Sequence, residues 1–132
     1  MSYFDKKIVI FASILAAITI GIGAFGAHGL KDLVDAQALL SFETGVRYQM
    51  YHVLALLVIG VTTRIPYETK KWVFRFFIIG MLFFSGSIFL LSMKTILPFS
   101  ISFLGPVTPI GGLLLMVGWL RLAYGLLTIE WS

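Results

Sequence analysis

The chain has no cysteine, only four prolines and two histidines, and just six acidic residues among 132. Without cysteine there are no disulfides, no thiolate chemistry and no cysteine-ligated zinc, although that absence leaves the compartment undecided. Charge is scarce as well. Asp, Glu, Lys and Arg make up 12% of the residues, against roughly a quarter in an ordinary soluble domain. That shortage, with 59% hydrophobic residues and a mean hydropathy of +0.99, excludes a soluble globular domain and leaves one small membrane domain. The net charge of +4 does not point to nucleic acid, because the basic residues sit at the ends of apolar runs, where topology accounts for them.

What the chain does have is long apolar sequence. Four stretches, about 8–27, 46–63, 73–92 and 109–127, have the character of transmembrane helices. About 20 apolar residues cross a hydrocarbon core of about 30 Å as a helix whose backbone groups are all paired internally. The first run resembles a signal peptide in having the small residues Ala24 and Gly26 near its end. It exceeds the usual apolar region of roughly 7 to 15 residues, and the chain starts at Met1, so it is expected to remain as a span.

The connection from Leu30 to Gly45 interleaves Lys31, Asp32, Asp35, Gln37 and Glu43 with Leu33, Leu39, Leu40 and Phe42 in a helical rhythm. It predicts a short interfacial helix leading into the second span. Pro66, Pro98, Gly105 and Pro106 break the later connections. Thr108 and Pro109 read as N-cap and first residue of the fourth span. The expected fold is therefore all-α: a polytopic membrane protein, one domain over residues 1–132, with four transmembrane helices and a short interfacial helix before the second.

Counting Lys and Arg sets the orientation. With the N-terminus cytoplasmic, that side holds Lys6, Lys7, Arg64, Lys70, Lys71, Arg75 and Arg121, and the outside holds Lys31, Arg47 and Lys94. Seven against three places both termini in the cytoplasm. Trp72, Trp119, Tyr124 and Trp131 then fall toward the cytoplasmic ends of the third and fourth spans, as an aromatic belt would.

Small residues carry the packing signal, because lipid gives no hydrophobic drive between helices and close backbone approach must supply the contacts. In the first span Ser13, Ala17 and Gly21 form one ladder, and Thr19, Gly23 and Ala27 another. In the fourth, Gly111, Gly118 and Gly125 recur every seven residues. Spans one and four are expected to pack tightly, within the bundle or between copies of the chain. Gly21, Gly23 and Gly26 spell the dinucleotide fingerprint, but no strand precedes them, so helix packing is the reading. A Gly-rich likeness between spans one and four is too faint for an inverted repeat.

The densest polar stretch near the membrane runs from Phe42 to His52. A charge at the bilayer centre costs about 2.5 to 3.5 kcal/mol, so something must compensate it. Glu43 and Arg47 can pair at i,i+4 with the acid first, the favoured order, and Tyr48 and His52 form a second i,i+4 pair. Glu43 and His52, nine positions apart, fall on opposite sides of a regular helix. They cannot share an ion unless the helix breaks at Gly45, and no ExxH or HxxxH spacing supports a metal with His28. Two readings remain. In one, Glu43 and Arg47 are an anchoring ion pair and His52 bonds across helices to Ser85 or Ser87. In the other, His28, Glu43, Arg47, Tyr48, Gln49, His52, Ser85 and Thr108 contribute to a polar pocket open to the outer face. The Phe-rich third span (Phe74, Phe76, Phe77, Phe83, Phe84 and Phe89) reads as lipid-facing or core surface.

Gly23–Leu30, Phe42–His52, Phe84–Ser87 and Thr108–Gly112 together resemble the small bacterial inner-membrane proteins grouped as domain-of-unknown-function family 423, over nearly the whole chain. The resemblance implies a four-helix plasma-membrane protein, and it carries over no activity, cofactor or catalytic residue. The expectation is a non-enzymatic protein of the bacterial inner membrane, without cofactor or metal. It is expected to self-associate through its Gly-rich faces and to present an outward polar site centred on Arg47 and His52. Its partner is the lipid bilayer, and the sequence names no small-molecule or ion ligand. The alternative is a subunit of a small ion or proton transporter or channel. A membrane enzyme would need a nucleophile or metal spacing that the sequence does not display.

Overall fold

The computed structural model describes residues 1–130, and every regular element among them is a helix. α1 (Tyr3–His28) opens with a capping box, in which Ser2 Oγ accepts from the Asp5 N–H at 3.0 Å and Asp5 accepts from the Ser2 N–H at 3.1 Å. α2 (Ala36–Val61) is capped by Asp35, whose carboxylate accepts from the Ala38 N–H at 2.8 Å. Pro66 sets the start of α3 (Tyr67–Met81), which passes through a π turn over Leu82–Gly86 into α4 (Ser87–Ser92). These three make one rod, here called the third rod. A loop with a 3-10 turn at Ser102–Leu104 leads to α5 (Val107–Leu127).

α1 and the third rod run one way, α2 and α5 the other. Tyr3, Val61, Tyr67 and Leu127 therefore share one end of the bundle, and His28, Ala36, Ser92 and Val107 the other. α1 packs on α2 and α5 packs on the third rod, with α2 and the third rod meeting at the centre. Spans one and four thus lie on opposite flanks. They do not pack on each other: each turns small residues to its neighbour in sequence. Gly26 admits the Phe42 ring, and a Cβ at Gly118 would lie 2.6 Å from the Phe77 ring. Gly111 lies against the backbone of Phe83 and Phe84, and Gly125 against Thr69. Gly23 approaches Val46, whereas Gly21 meets nothing and, like Ala17, is exposed.

The apolar core gathers toward the end that holds Tyr3 and Leu127, where Ile8, Val53, Leu56, Val73 and Phe77 are fully buried. Phe77 and the partly buried Phe74 point inward, and Phe83 faces out. Asp5 and Lys70 close this end: Lys70 Nζ donates to Asp5 Oδ1 at 2.7 Å, tying α1 to α3.

Three stretches, Tyr3–Asp32, Tyr67–Ser92 and Ser102–Leu127, are long and apolar enough to cross a membrane. α2 has 26 residues, about 39 Å of helix, but Arg47, Gln49 and His52 dilute its hydropathy. In place of a separate interfacial helix, the segment before span two forms a 3-10 turn at Leu30–Asp32 and then the first turns of α2 itself, which runs through Gly45 unbroken. Gly45 is buried against Ile88 and Phe89, so its missing side chain serves packing. Thr108 is not an N-cap: α5 starts at Val107, after Pro106, two residues before the expected Pro109, and the Thr108 hydroxyl turns to Ser87.

Candidate functional site

The polar residues of the Phe42–His52 stretch do not converge on one pocket. Glu43 and Arg47 are both exposed on α2, and Arg47 Nη2 donates to Thr44 Oγ1 at 3.1 Å. The ion pairs among the described residues are Lys70 with Asp5 and Lys71 with Glu68. The expected Glu43–Arg47 pair is therefore corrected. Both side chains reach the bundle surface and gain little by closing on each other there. His28 ends α1 and is exposed.

The buried groups form four separate clasps between helices. Gln49 donates to Thr19 Oγ1 at 2.6 Å, and Thr19 donates on to the Leu15 carbonyl at 2.7 Å, joining α2 to α1. Ser85, within the π turn, donates to the Gly45 carbonyl at 2.7 Å, and Ser87 shares a hydrogen bond of 2.5 Å with Thr108. His52 bonds across helices, but to Trp119 of α5 in place of Ser85 or Ser87. The indole N–H can only donate, so His52 Nε2 accepts it at 3.0 Å, and Nδ1 carries the proton it donates to the Tyr48 carbonyl at 2.6 Å. Trp119 thus lies about 12 Å inside the end of α5 as an interhelical partner, and does not join the expected belt. Trp72 and Tyr124 do stand near the helix ends, beneath the guanidinium groups of Arg75 and Arg121. Trp131 lies outside the described residues.

What converges instead is a cleft of about 390 Å³ at the end that holds His28 and Val107. The start of α2 gives Asp35, Gln37 and Ser41, the end of α4 and its loop give Ser92, Lys94 and Thr95, and α5 gives Thr108. Of the eight residues expected to form a polar pocket, only Thr108 reaches this cleft. The cleft's other residues were legible one by one, as Lys94 was at a span end, but their meeting depends on the length of the 93–106 loop and on how α2 enters the bundle.

The chain matches the family described as "Protein of unknown function (DUF423)" over residues 22–112. It belongs to that family. Within it, this DUF423 chain is similar to a UPF0382 membrane protein of Staphylococcus saprophyticus, 40% identical over 120 residues that cover 91% of this chain and 96% of that one. It is also similar to one from Staphylococcus epidermidis, 41% identical with 89% and 92% covered. One from Haemophilus influenzae is 33% identical, with 91% and 93% covered. No solved structure matches the chain. The DUF423 match takes in the whole of α2, the third rod and the opening of α5, and so the clasps made by Ser85 and Ser87 and the full lining of the cleft, whereas Thr19 and Trp119 lie outside the matched residues. Membership makes this a membrane protein, in keeping with its three long apolar stretches.

Proposed function

We propose that this chain is a four-span protein of the bacterial plasma membrane, with both termini cytoplasmic, that works by binding a ligand in its outward cleft and carries out no catalysis. The observation that supports it is the cleft itself, where polar side chains from three helices meet in one hollow of about 390 Å³. α2 serves as the fourth span on this reading. Its polar residues are spent on clasps to α1 and α5, and its length of about 39 Å exceeds the bilayer core of about 30 Å. The orientation follows from charge, since Lys6, Lys7, Arg64, Lys70, Lys71, Arg75 and Arg121 all belong to the half of the bundle that holds Tyr3 and Leu127.

A conduction path, the competing reading, needs polar groups turned toward water. Ser85, Ser87, Gln49 and His52 turn to partners inside the bundle, and no buried side-chain polar atom among the described residues lacks a partner. This favours binding over transport. Self-association, on the same reading, uses the outward ladder of Ser13, Ala17 and Gly21, because Gly23, Gly26, Gly111, Gly118 and Gly125 are occupied within the bundle.

The absence of cysteine makes the test direct, since each cysteine variant carries one thiol. In intact cells a membrane-impermeant maleimide should label Thr95→Cys, and Thr63→Cys only after the membrane is opened. Leu54→Cys, midway along the expected second span (46–63) and half-exposed, should stay unlabelled in both conditions. Labelling of Thr63→Cys from outside overturns the orientation, and labelling of Leu54→Cys overturns α2 as a span.

A further inference from the structure

Below the cleft lies a second hollow, which shares no lining residue with it but is lined by the next residues along the same three elements. Along the cleft's walls Thr108 is followed by Pro109, Ser41 by Tyr48 two turns on, and Ile88 of the third rod by Phe84 one turn below. These next residues line the second hollow, of about 640 Å³, which also takes in His52, Met116 and Trp119. α2 and α5 wall both hollows and the third rod floors them. The hydrogen bond from Trp119 to His52 bridges the walls at the lower end.

This furrow changes character with depth. Gln37, Ser41, Lys94, Thr95 and Thr108 surround its mouth, and Phe84, Leu113, Met116 and Trp119 its lower part. From Thr108 to Trp119 the helix rises about 16 Å, about half of a hydrocarbon core of about 30 Å, so the furrow traverses one leaflet. The mouth holds one cation, Lys94, and one carboxylate, Asp35, and of the two only Asp35 is engaged by a described residue. Lys94 is exposed, with no ion pair to a described residue. No side chain caps the first turn of α5, which leaves amide donors and the positive end of the helix dipole facing out. The carboxylate at the mouth, Asp35, is engaged by the Ala38 N–H.

The geometry points to one anionic phospholipid of the outer leaflet bound in this furrow, its phosphate beside Lys94 and the start of α5, and one acyl chain laid along Leu113, Met116 and Trp119. This rests on the reading of the cleft as a binding site and gives that site its ligand class. A soluble anion would satisfy the mouth alone. A phospholipid also matches the apolar trough beneath it and the trough's one-leaflet depth.

The test uses Trp119 as the reporter. The full chain with Trp72→Phe and Trp131→Phe keeps Trp119 as its sole tryptophan, and is reconstituted in phosphatidylcholine vesicles. Phosphatidylglycerol brominated in its acyl chains is compared with brominated phosphatidylcholine for quenching. The expected preference for the anionic lipid is about fivefold, as one lysine beside an anionic headgroup supplies. Lys94→Gln, on an exposed loop where folding is not at stake, should abolish that preference. Gly112→Leu should reduce quenching by both lipids, because a Cβ there meets only the Phe84 ring at 3.5 Å and the longer side chain enters the trough. Equal quenching by the two lipids, or a preference that survives Lys94→Gln, overturns the proposal. Thiol labelling of Thr95→Cys is read separately: an unreactive thiol removes the outward cleft, whereas a reactive one without lipid preference removes only the phospholipid.

Discussion

Around Tyr3, Val61, Tyr67 and Leu127, apolar side chains close on one another. Ile8, Val53, Leu56, Val73 and Phe77 are fully buried, and one ion pair, Lys70 with Asp5, seals the rim. At the other end Leu30 and Phe42 are buried as well, but the hydroxyls of Ser41, Ser87, Ser92 and Thr108 gather between α2, the third rod and α5, and a cleft of about 390 Å³ stays open. In lipid no hydrophobic drive holds helices together, so dense packing and a few polar clasps must do it. With the main apolar cluster in one half, the other half keeps a polar hollow beside its own packed residues, Leu30 and Phe42.

The comparison breaks most visibly if the closed half turns out dispensable. Phe77, with no exposed surface, contacts His52 and Trp119 through ring centroids 4.9 and 5.1 Å away. Phe77→Ala should cost about 3 to 5 kcal/mol, read as thermal unfolding in mild detergent. Phe103→Ala, on the 93–106 loop and 71% exposed, should leave the transition in place. Similar shifts from the two would mean the closed half does not carry the fold.

A smaller effect separates glycines that look alike in sequence. Gly118→Ala pushes a methyl to within 2.6 Å of the Phe77 ring and should cost about 1 to 3 kcal/mol. Gly21→Ala adds a methyl where nothing lies within 4 Å, so it should be neutral or gain up to about 1 kcal/mol from helix propensity. If both destabilise, Gly21 is covered by something outside this chain, and the outward ladder would then be an interface.

Next comes the rim. Lys70 is 3% exposed and Asp5 14%. Removing one partner of a fully buried pair costs about 3 to 5 kcal/mol, but the Asp5 carboxylate can still reach water, so Lys70→Met should cost about 1 to 2 kcal/mol. The double variant with Asp5→Asn should recover part of that loss, since it no longer leaves a charge without its partner. A double variant less stable than Lys70→Met alone would show that Asp5 matters as the cap of α1 more than as an ion partner.

The all-helical membrane character was legible because it rests on composition and run length, which need no tertiary information. Tertiary choices were not. The heptad of Gly111, Gly118 and Gly125 marks a seam, but nothing local says that its partner is the third rod. His52 could be seen to need a partner, yet the indole that meets it is 67 residues away and read equally well as a belt residue. The π turn at Leu82–Gly86 and the run of α2 through Gly45 are tertiary overrides of local sequence. The cleft joins residues ordinary for helix ends, and only the packing of three elements brings them together.

The smallest effect tests the open half. From the sequence Arg47 is expected to be paired and partly buried, so that its loss would exceed that of Lys94, which can reach water. In the structure Arg47 is exposed and donates to Thr44, a residue on its own helix. A long side chain in that position can extend to the water interface while its methylenes lie against apolar surface. Arg47→Ala and Lys94→Ala should therefore each change stability by no more than about 0.5 kcal/mol, and their unfolding transitions in detergent should coincide. Should Arg47→Ala cost well over 1 kcal/mol while Lys94→Ala does not, Arg47 is held by a second copy or by a lipid phosphate that survives purification. The open half would then take part in holding the fold, and the division between a closed half that sets the helices and an open half that binds would no longer stand.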